Sequence, residues 1–222
     1  MPKTKIVVFK FAQSVFAEHY FFEDSKSDRL LPISFLFFLI EQGDRKILID
    51  AGCEDMPGWE MSHMVSPANL LVEYGLTPDS ITDVIITHAH HDHIQCVRHF
   101  KNAVIHIQRE ELGEGAKYIT EGLKIHLFDD EFSLADNIKI IKIGGHTRGS
   151  SVVLLEKDGE NYLFCGDEVY SEECFLRGVA SGHPLSREKN IAFIEKYREQ
   201  KYKKIIFHTP EILPDRNGWV VI

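Results

Sequence analysis

Residues 88–93 read His88-Ala89-His90-His91-Asp92-His93 and follow directly on the apolar run Val84-Ile85-Ile86. Four of the chain's twelve histidines fall within these six positions. In extended chain, side chains two apart share a face, so His88 and His90 can converge on one ion while the small Ala89 points elsewhere. Asp92 and His93 need a second direction. A turn from strand into helix would supply it and send them toward a second ion beside the first. Imidazole nitrogen and carboxylate oxygen are the donors expected of zinc. The plainer alternative is an exposed histidine-rich turn, with Asp92 merely capping a helix that begins near His93.

Working outward, His146 sits in Gly144-Gly145-His146-Thr147-Arg148-Gly149-Ser150, read as a flexible turn after a strand over residues 138–143. Asp167 follows Phe164-Cys165-Gly166 at a strand end, and His208 closes Ile205-Ile206-Phe207. Asp50 ends Leu48-Ile49-Asp50-Ala51-Gly52, where a strand-end turn with Gly52 is the ordinary role for such a residue. Each of these side chains lies just past an apolar strand. A sandwich of sheets presents residues at one edge in this way.

An early Asp, then H-x-H-x-D-H, a later His, an Asp and a final His is the ordered pattern of the metallo-β-lactamase superfamily, which the chain resembles from Asp50 to His208. The resemblance implies an α+β four-layer αββα sandwich with two zinc ions at one end of the two sheets, iron or manganese being alternatives. By the same resemblance His88, His90 and His146 bind one metal, Asp92, His93 and His208 bind the other, and Asp167 bridges them. Asp50 resembles the acid that supports the ligand loop from behind, and His91 holds the variable position of the motif without an assigned role. His19, His63, His99, His106, His126 and His183 lack such spacing and are read as surface or core residues.

The implied chemistry is hydrolysis by a metal-bridging hydroxide, which Asp92 would help to orient. Neither a G-x-S-x-G elbow nor a reactive-cysteine signature is present. A bridging Asp167 disfavours true β-lactamase activity within the superfamily. Tyr170, three residues later, resembles the tyrosine of the N-acyl homoserine lactonase branch, which hydrogen-bonds the substrate carbonyl or leaving oxygen. Its ordinary role would be a packed ring with the hydroxyl in solvent. Gly75-Leu76-Thr77-Pro78-Asp79 also looks like that branch, Thr77 and Pro78 capping and starting a helical turn. The connection from Asp50 to His88 looks short for it, which argues against a pocket for a long acyl chain. Trp59, Met61, Met64 and Phe175 are read either as an apolar wall near the metals or as ordinary core. A lactone or related ester is the expected substrate. Thioester cleavage of the glyoxalase II kind, phosphodiester cleavage, mononuclear iron redox chemistry and a non-catalytic metal-binding scaffold are the alternatives.

At 222 residues and 44% apolar content, the chain suits one domain over residues 1–222 with a continuous core. A net charge of −9 without a Lys/Arg run argues against nucleic acid and for a small-molecule partner. The N-terminus does not read as a signal peptide, and the strongest apolar run, residues 33–40, is far shorter than the roughly 20 residues that cross a bilayer. Cys53, Cys96, Cys165 and Cys174 form no C-x-x-C pair and suggest buried thiols in a reducing cytoplasm.

Other strands are expected over residues 5–11, 33–40, 46–50, 82–87, 103–108, 124–128, 151–156, 162–165 and 203–208. Turns at residues 41–44 and 157–160 imply hairpins. One helix should run from Ser66-Pro67 to Gly75, and another should start at Ser186 with Ile191, Ile194 and Tyr197 inward.

Overall fold

Alternation along the first strand decides how the layers stack. In β1 (Thr4–Ala17) the side chains of Ile6 and Val8 join one buried cluster, while those of Val7, Phe9 and Phe11 join another. Successive side chains on a strand point to opposite faces, so this sheet is covered on both sides. The computed structural model describes residues 4–214 and 216–222. Among them β12 (Gly218–Val221), β1, β2 (Leu30–Gln42), β3 (Arg45–Ile49), β4 (Asp83–Ile86), β5 (Val104–Gln108) and β6 (Lys124–Phe128) form one sheet in that spatial order. The second sheet runs β11 (Tyr202–Ile205), β10 (Glu160–Phe164), β9 (Ser151–Lys157), β8 (Ile138–Lys142) and β7 (Glu131–Ala135).

Ile6, Val8, Phe38, Ile47 and Ile85 of the first sheet meet Ile138, Ile140, Val153, Leu155 and Phe164 of the second in the central core. The outer faces carry the helices. α2 (Pro67–Tyr74) packs Leu70 and Leu71 toward Val7 and Phe9, and α6 (Arg187–Tyr197) packs Phe193, Ile194 and Tyr197 toward Val152 and Leu163. The short helices α1 (Glu18–Phe21), α3 (His91–Ile94), α4 (Leu112–Gly115) and α5 (Glu173–Arg177) lie in the connections. The expected αββα sandwich is therefore present. No described helix is long and apolar enough to cross a membrane.

Strand direction places the site. β3, β4, β5 and β6 are mutually parallel, and β10 is parallel to β11. β8 pairs antiparallel with β9, which pairs antiparallel with β10, so β8 points the same way as β10. The C-terminal ends of β3 and β4, and those of β8, β10 and β11, therefore share an edge of their sheets. Asp50, His88, His146, Asp167 and His208 lie just beyond those five ends.

Several boundaries differ from the sequence expectation. Strand 162–165 is Glu160–Phe164, and Cys165 already belongs to the turn that carries Asp167. Strand 203–208 stops at Ile205, because the chain leaves the sheet to place His208. On α6 the buried face holds Asn190, Phe193, Ile194 and Tyr197, with Ile191 only half-buried. The hairpins at 41–44 and 157–160, the Gly75 cap in the left-handed conformation and the Thr77–Ser80 capping box are as expected. All four cysteines are free and buried.

Candidate metal centre

Beyond β4, Thr87 and His88 continue extended chain until α3 begins at His91. The helix turns Asp92 and His93 away from the line of His88 and His90, as the motif required. His90 occupies the N-cap position and Asp92 makes no capping bond, so the reading of Asp92 as a cap is not borne out.

Two groups of donor atoms result. His88, His90, His146 and Asp167 each offer an atom within 4.8 Å of the others, and so do Asp92, His93 and His208. In the first group His90 Nδ1 lies 2.9 Å from His88 Nε2 and 3.0 Å from His146 Nε2. In the second, His93 Nε2 lies 3.3 Å from Asp92 Oδ2, and His208 Nε2 lies 3.8 Å from it. Asp167 faces both. Its Oδ2 is 3.9 Å from His88 Nε2, 3.7 Å from His146 Nε2 and 3.3 Å from His208 Nε2, while its Oδ1 is 3.3 Å from His93 Nε2 and 3.2 Å from His208 Nε2. This division coincides with that implied by the sequence resemblance.

The donor atoms are aimed by the opposite sides of their rings. Asp50 Oδ2 accepts from His93 Nδ1 at 2.6 Å and from Thr87 Oγ1 at 2.8 Å, and Asp50 Oδ1 accepts from Thr87 N at 2.7 Å. Thr87 Oγ1 is in turn 3.1 Å from His88 Nδ1. His208 Nδ1 donates to the Ser34 carbonyl at 3.0 Å. Three imidazoles thus have Nδ1 engaged and Nε2 turned inward, the arrangement that fixes a ring for metal ligation. Asp50 adopts φ 61°, an uncommon conformation that lets one carboxylate serve both halves of the site.

The interior atoms themselves lack partners. His93 Nε2 and Asp167 Oδ1 are buried without a hydrogen bond, a costly condition unless another ligand satisfies such groups, whereas the unpartnered Nδ1 of His146 is on the far side of a ring whose Nε2 faces the site. Five imidazoles and the two carboxylates of Asp92 and Asp167 are suitable donors for divalent zinc, so the residues fit metal binding at both groups. The electrostatics also favour cations. Burial pushes the Asp167 carboxyl up, but His208 and His93 outweigh it and hold it well below the usual range. Burial acts against charge on His93 as well, yet Asp167, Asp92 and Asp50 hold its proton well above the ordinary imidazole range. Burial, and after it the neighbouring imidazoles, moves His88 and His146 down, His146 to about 4.

Tyr170 donates from its hydroxyl to Asp167 Oδ2 at 3.0 Å and stacks on His208, with ring centroids 5.3 Å apart. Its hydroxyl is inside the site rather than in solvent. It also lines a cavity of about 800 Å³ whose apolar surface includes Phe21, Phe22, Leu31, Leu176 and Ile206. His91 turns away from the site, its ring bonded to Tyr118 Oη and Asp55. Of the residues named as an apolar wall, Phe175 packs on Phe193 in the core, and Met61 and Met64 pack at its margin. Trp59 is 42% exposed against Phe16.

Elsewhere, His106 is buried between Asp83 and His126, and Arg45 grips the same Asp83 through two nitrogens. His99 approaches Glu54 and Cys96, but Glu54 already accepts from Ser66 and Arg98. His19, His63, His126 and His183 are exposed or half-buried and join neither donor group.

Two glutamates escaped the sequence reading. Glu168 is fully buried beside Asp167, and its Oε1 accepts from Gly145 N, His146 N and Ser150 Oγ. Glu111, 3% exposed, accepts from Ala89 N, Gly149 N and Thr147 Oγ1. Burial pushes the Glu168 carboxyl up, against the pull of these bonds. The turn around His146 is accordingly clamped, not flexible as its glycines suggested. Those glycines were the available signal, because they admit neighbouring side chains to the backbone.

The Metallo-beta-lactamase superfamily model matches residues 36–209. N-acyl homoserine lactonase AiiB of Agrobacterium fabrum is 24% identical over 82% of this chain and 81% of its own length. The hydroxyacylglutathione hydrolase of Aliivibrio salmonicida is 33% identical over 47% of this chain, a match spanning only 38% of that enzyme. Among solved structures, an N-acyl homoserine lactone hydrolase with N-hexanoyl-L-homoserine at its catalytic metal centre superposes with a TM-score of 0.82. The match covers 94% of each chain at 19% identity, a likeness of fold. AidC, described as a dizinc quorum-quenching lactonase, gives 0.77 over 99% of this chain and 95% of its own at 17% identity.

Proposed function

The chain belongs to the metallo-β-lactamase superfamily, and from that premise we propose that it is a dinuclear metal-dependent hydrolase opening a lactone or related ester. The observation that carries the reading is the place of Asp167 between the donor groups, its Oδ1 near His93 and His208 and its Oδ2 within reach of His88, His146 and His208, which supports a carboxylate shared by two ions. His88, His90 and His146 would hold one ion, and Asp92, His93 and His208 the other. Such a pair, zinc on this donor set, supplies Lewis acidity and lowers the pKa of water from roughly 15.7 toward about 7.

The chain's own groups do the positioning. Asp92, in the second donor group, would accept a hydrogen from the attacking water and so aim its lone pair. Tyr170 Oη has Asp167 as its resting partner, and a substrate carbonyl entering beside it would receive the same proton as a hydrogen bond. That bond strengthens as negative charge develops on the carbonyl oxygen. The cavity beside Tyr170 mixes apolar side chains with Glu18, Glu172, Glu173 and Glu211 against Arg29 and Lys204, an acidic balance that suits an uncharged ester better than a phosphodiester. The local identity to hydroxyacylglutathione hydrolases supports a second reading, thioester cleavage at the same centre. Continuity of the inter-sheet core supports one domain over residues 1–222.

The test is a side-by-side panel of lactones, thioesters and phosphodiesters on zinc-loaded protein, with metal analysis of protein grown without supplementation. The proposal expects two metal equivalents and the highest kcat/KM for a lactone. A preferred thioester would replace the lactone reading, while one iron without zinc would overturn the two-metal mechanism. No turnover of any substrate would leave a binding scaffold.

A further inference from the structure

The turn from Gly144 to Ser150 leans on two buried carboxylates that come from different sheets. Glu168 extends from the turn after β10 and Glu111 from the segment after β5. Glu168 Oε1 accepts from the backbone of both Gly145 and His146, at 3.1 and 3.2 Å. Its Oε2 accepts from Asn190 Nδ2 at 3.0 Å, which ties the turn to α6. Glu111 Oε1 accepts from Gly149 N at 2.7 Å and Thr147 Oγ1 at 2.6 Å, while Oε2 accepts from Ala89 N at 2.7 Å. Ala89 lies between His88 and His90, so this one carboxylate joins the backbone of all three histidines' segments.

The glycines fit this arrangement sterically. A Cβ at Gly145 would lie 2.2 Å from Glu168 Oε2, and one at Gly149 would lie 2.8 Å from Glu111 Cγ and 2.3 Å from Gln108 Oε1. Neither glycine is required by φ, as both lack a positive value. Close approach of the carboxylates is what leaves no room for a side chain. No described Lys or Arg forms an ion pair with Glu111 or Glu168. Buried carboxylates without a cation are expensive, and a neighbouring pair of metal ions would offset their charge.

The bonds are also one-sided. Every loop they hold carries His88, His90 or His146, whereas His93 and His208 are held by Asp50 and the Ser34 carbonyl. We infer that Glu111 and Glu168 are positioning residues for one half of the metal centre, setting the affinity of the His88–His90–His146 site and leaving the Asp92–His93–His208 site nearly unaffected. The inference rests on the two-metal reading above.

The experiment loads full-length wild type, Glu111→Gln, Glu168→Gln and Glu168→Ala with Zn²⁺ and extracts the metal with a chromophoric chelator. In the wild type two equivalents should leave. In Glu168→Ala one equivalent should leave at about 10- to 100-fold lower chelator concentration while the other is unchanged, the range typical of residues that orient ligands. Glu168→Gln keeps an acceptor for the three donors around Oε1 and should recover most of that loss, which a merely space-filling role would not predict. Glu111→Gln should match Glu168→Ala in direction. Near-UV circular dichroism identifies any variant that has lost its packing, and the glutamine variants then carry the test. Equal weakening of both equivalents, or of neither, in folded Glu168→Ala or Glu111→Gln overturns the inference. Fewer than two equivalents in the wild type instead overturns the two-metal reading on which it rests.

Discussion

Two clusters of histidine and aspartate sit on the same parallel strands, one at each end. At the C-terminal ends of β3 and β4, Asp50 stands behind His93 and, through Thr87, His88, whose far nitrogens look into a space where buried atoms lack partners. Toward the other end, Asp83 opens β4 and His106 sits in β5 facing it, with Arg45 of β3 closing the group. There every acidic oxygen is spoken for. Asp83 Oδ1 accepts from His106 at 3.0 Å and Arg45 at 2.8 Å, and Oδ2 accepts from Arg45 at 3.2 Å and Thr82 at 2.7 Å. Residue types alone do not separate these clusters. What separates them is valence: one set of side chains satisfies itself, and the other needs something added.

That contrast can be broken most severely at Asp167. Asp167→Ala should weaken retention of both ions and reduce turnover roughly 10²- to 10³-fold, as loss of a principal electrostatic element does. Metal analysis after dialysis checks it, and unchanged retention of both ions would contradict the bridge. Tyr170→Phe comes next. If its hydroxyl contributes roughly 1.5–3 kcal/mol to the transition state, lactone kcat/KM should fall about 10- to 150-fold with two metals still bound. Unchanged kinetics would return Tyr170 to a packing role.

Asp50→Ala should fold and lose about 10- to 100-fold in metal affinity, since the carboxylate reaches His93 directly and His88 through Thr87. Loss of folding would instead favour a structural turn as its chief role. The smallest effect on chemistry is expected at the other cluster. Asp83→Asn should leave metal content and turnover unchanged while costing roughly 1–3 kcal/mol of stability. Burial pushes Asp83 up, but bonds from His106, Arg45 and Thr82 prevail and bring it from 3.8 to about 2. A carboxyl depressed on folding stabilises above its unfolded value, and that contribution disappears as pH falls through the folded one. Denaturation from pH 5 to 2 should therefore show an acid-side loss in the wild type that is smaller in Asp83→Asn. Any drop in metal content in that variant would erase the distinction between the clusters.

Much of the molecule was legible in its sequence because apolar strands and liganding side chains leave short-range patterns. The seven donor residues, both hairpins and the Gly75 cap are local signals, and the structure brings the donors together in the expected groups. The strands β7 and β12 were not anticipated. β7 reads Glu131-Phe132-Ser133-Leu134-Ala135 at a sheet edge, with no residue fully buried, and β12 is four residues paired only with β1. Glu111 and Glu168 were invisible for another reason. A glutamate reads as solvent-facing unless its partners are known, and theirs are backbone amides distant in sequence. His106 lies outside both donor groups, and nothing near it in sequence announced the pairing with Asp83.

The common polarity of β3, β4, β8, β10 and β11 has a consequence for how the molecule comes into being. Donors are spread from Asp92 and the early histidines to His208, and the last of them is positioned only after β11 has paired, in parallel, with β10. A growing chain exposes His88, His90, Asp92 and His93 early, yet these alone cannot assemble either donor group, since one needs His146 and Asp167 and the other His208. Under the two-metal proposal, high-affinity metal capture would wait until segments distant in sequence have met, a slow class of contact to form. Once made, that capture stabilises only the finished arrangement. Under that proposal, an ion in the Asp92–His93–His208 group would latch only a chain carried through His208, whereas the donors of the other group are all present once Asp167 has been made.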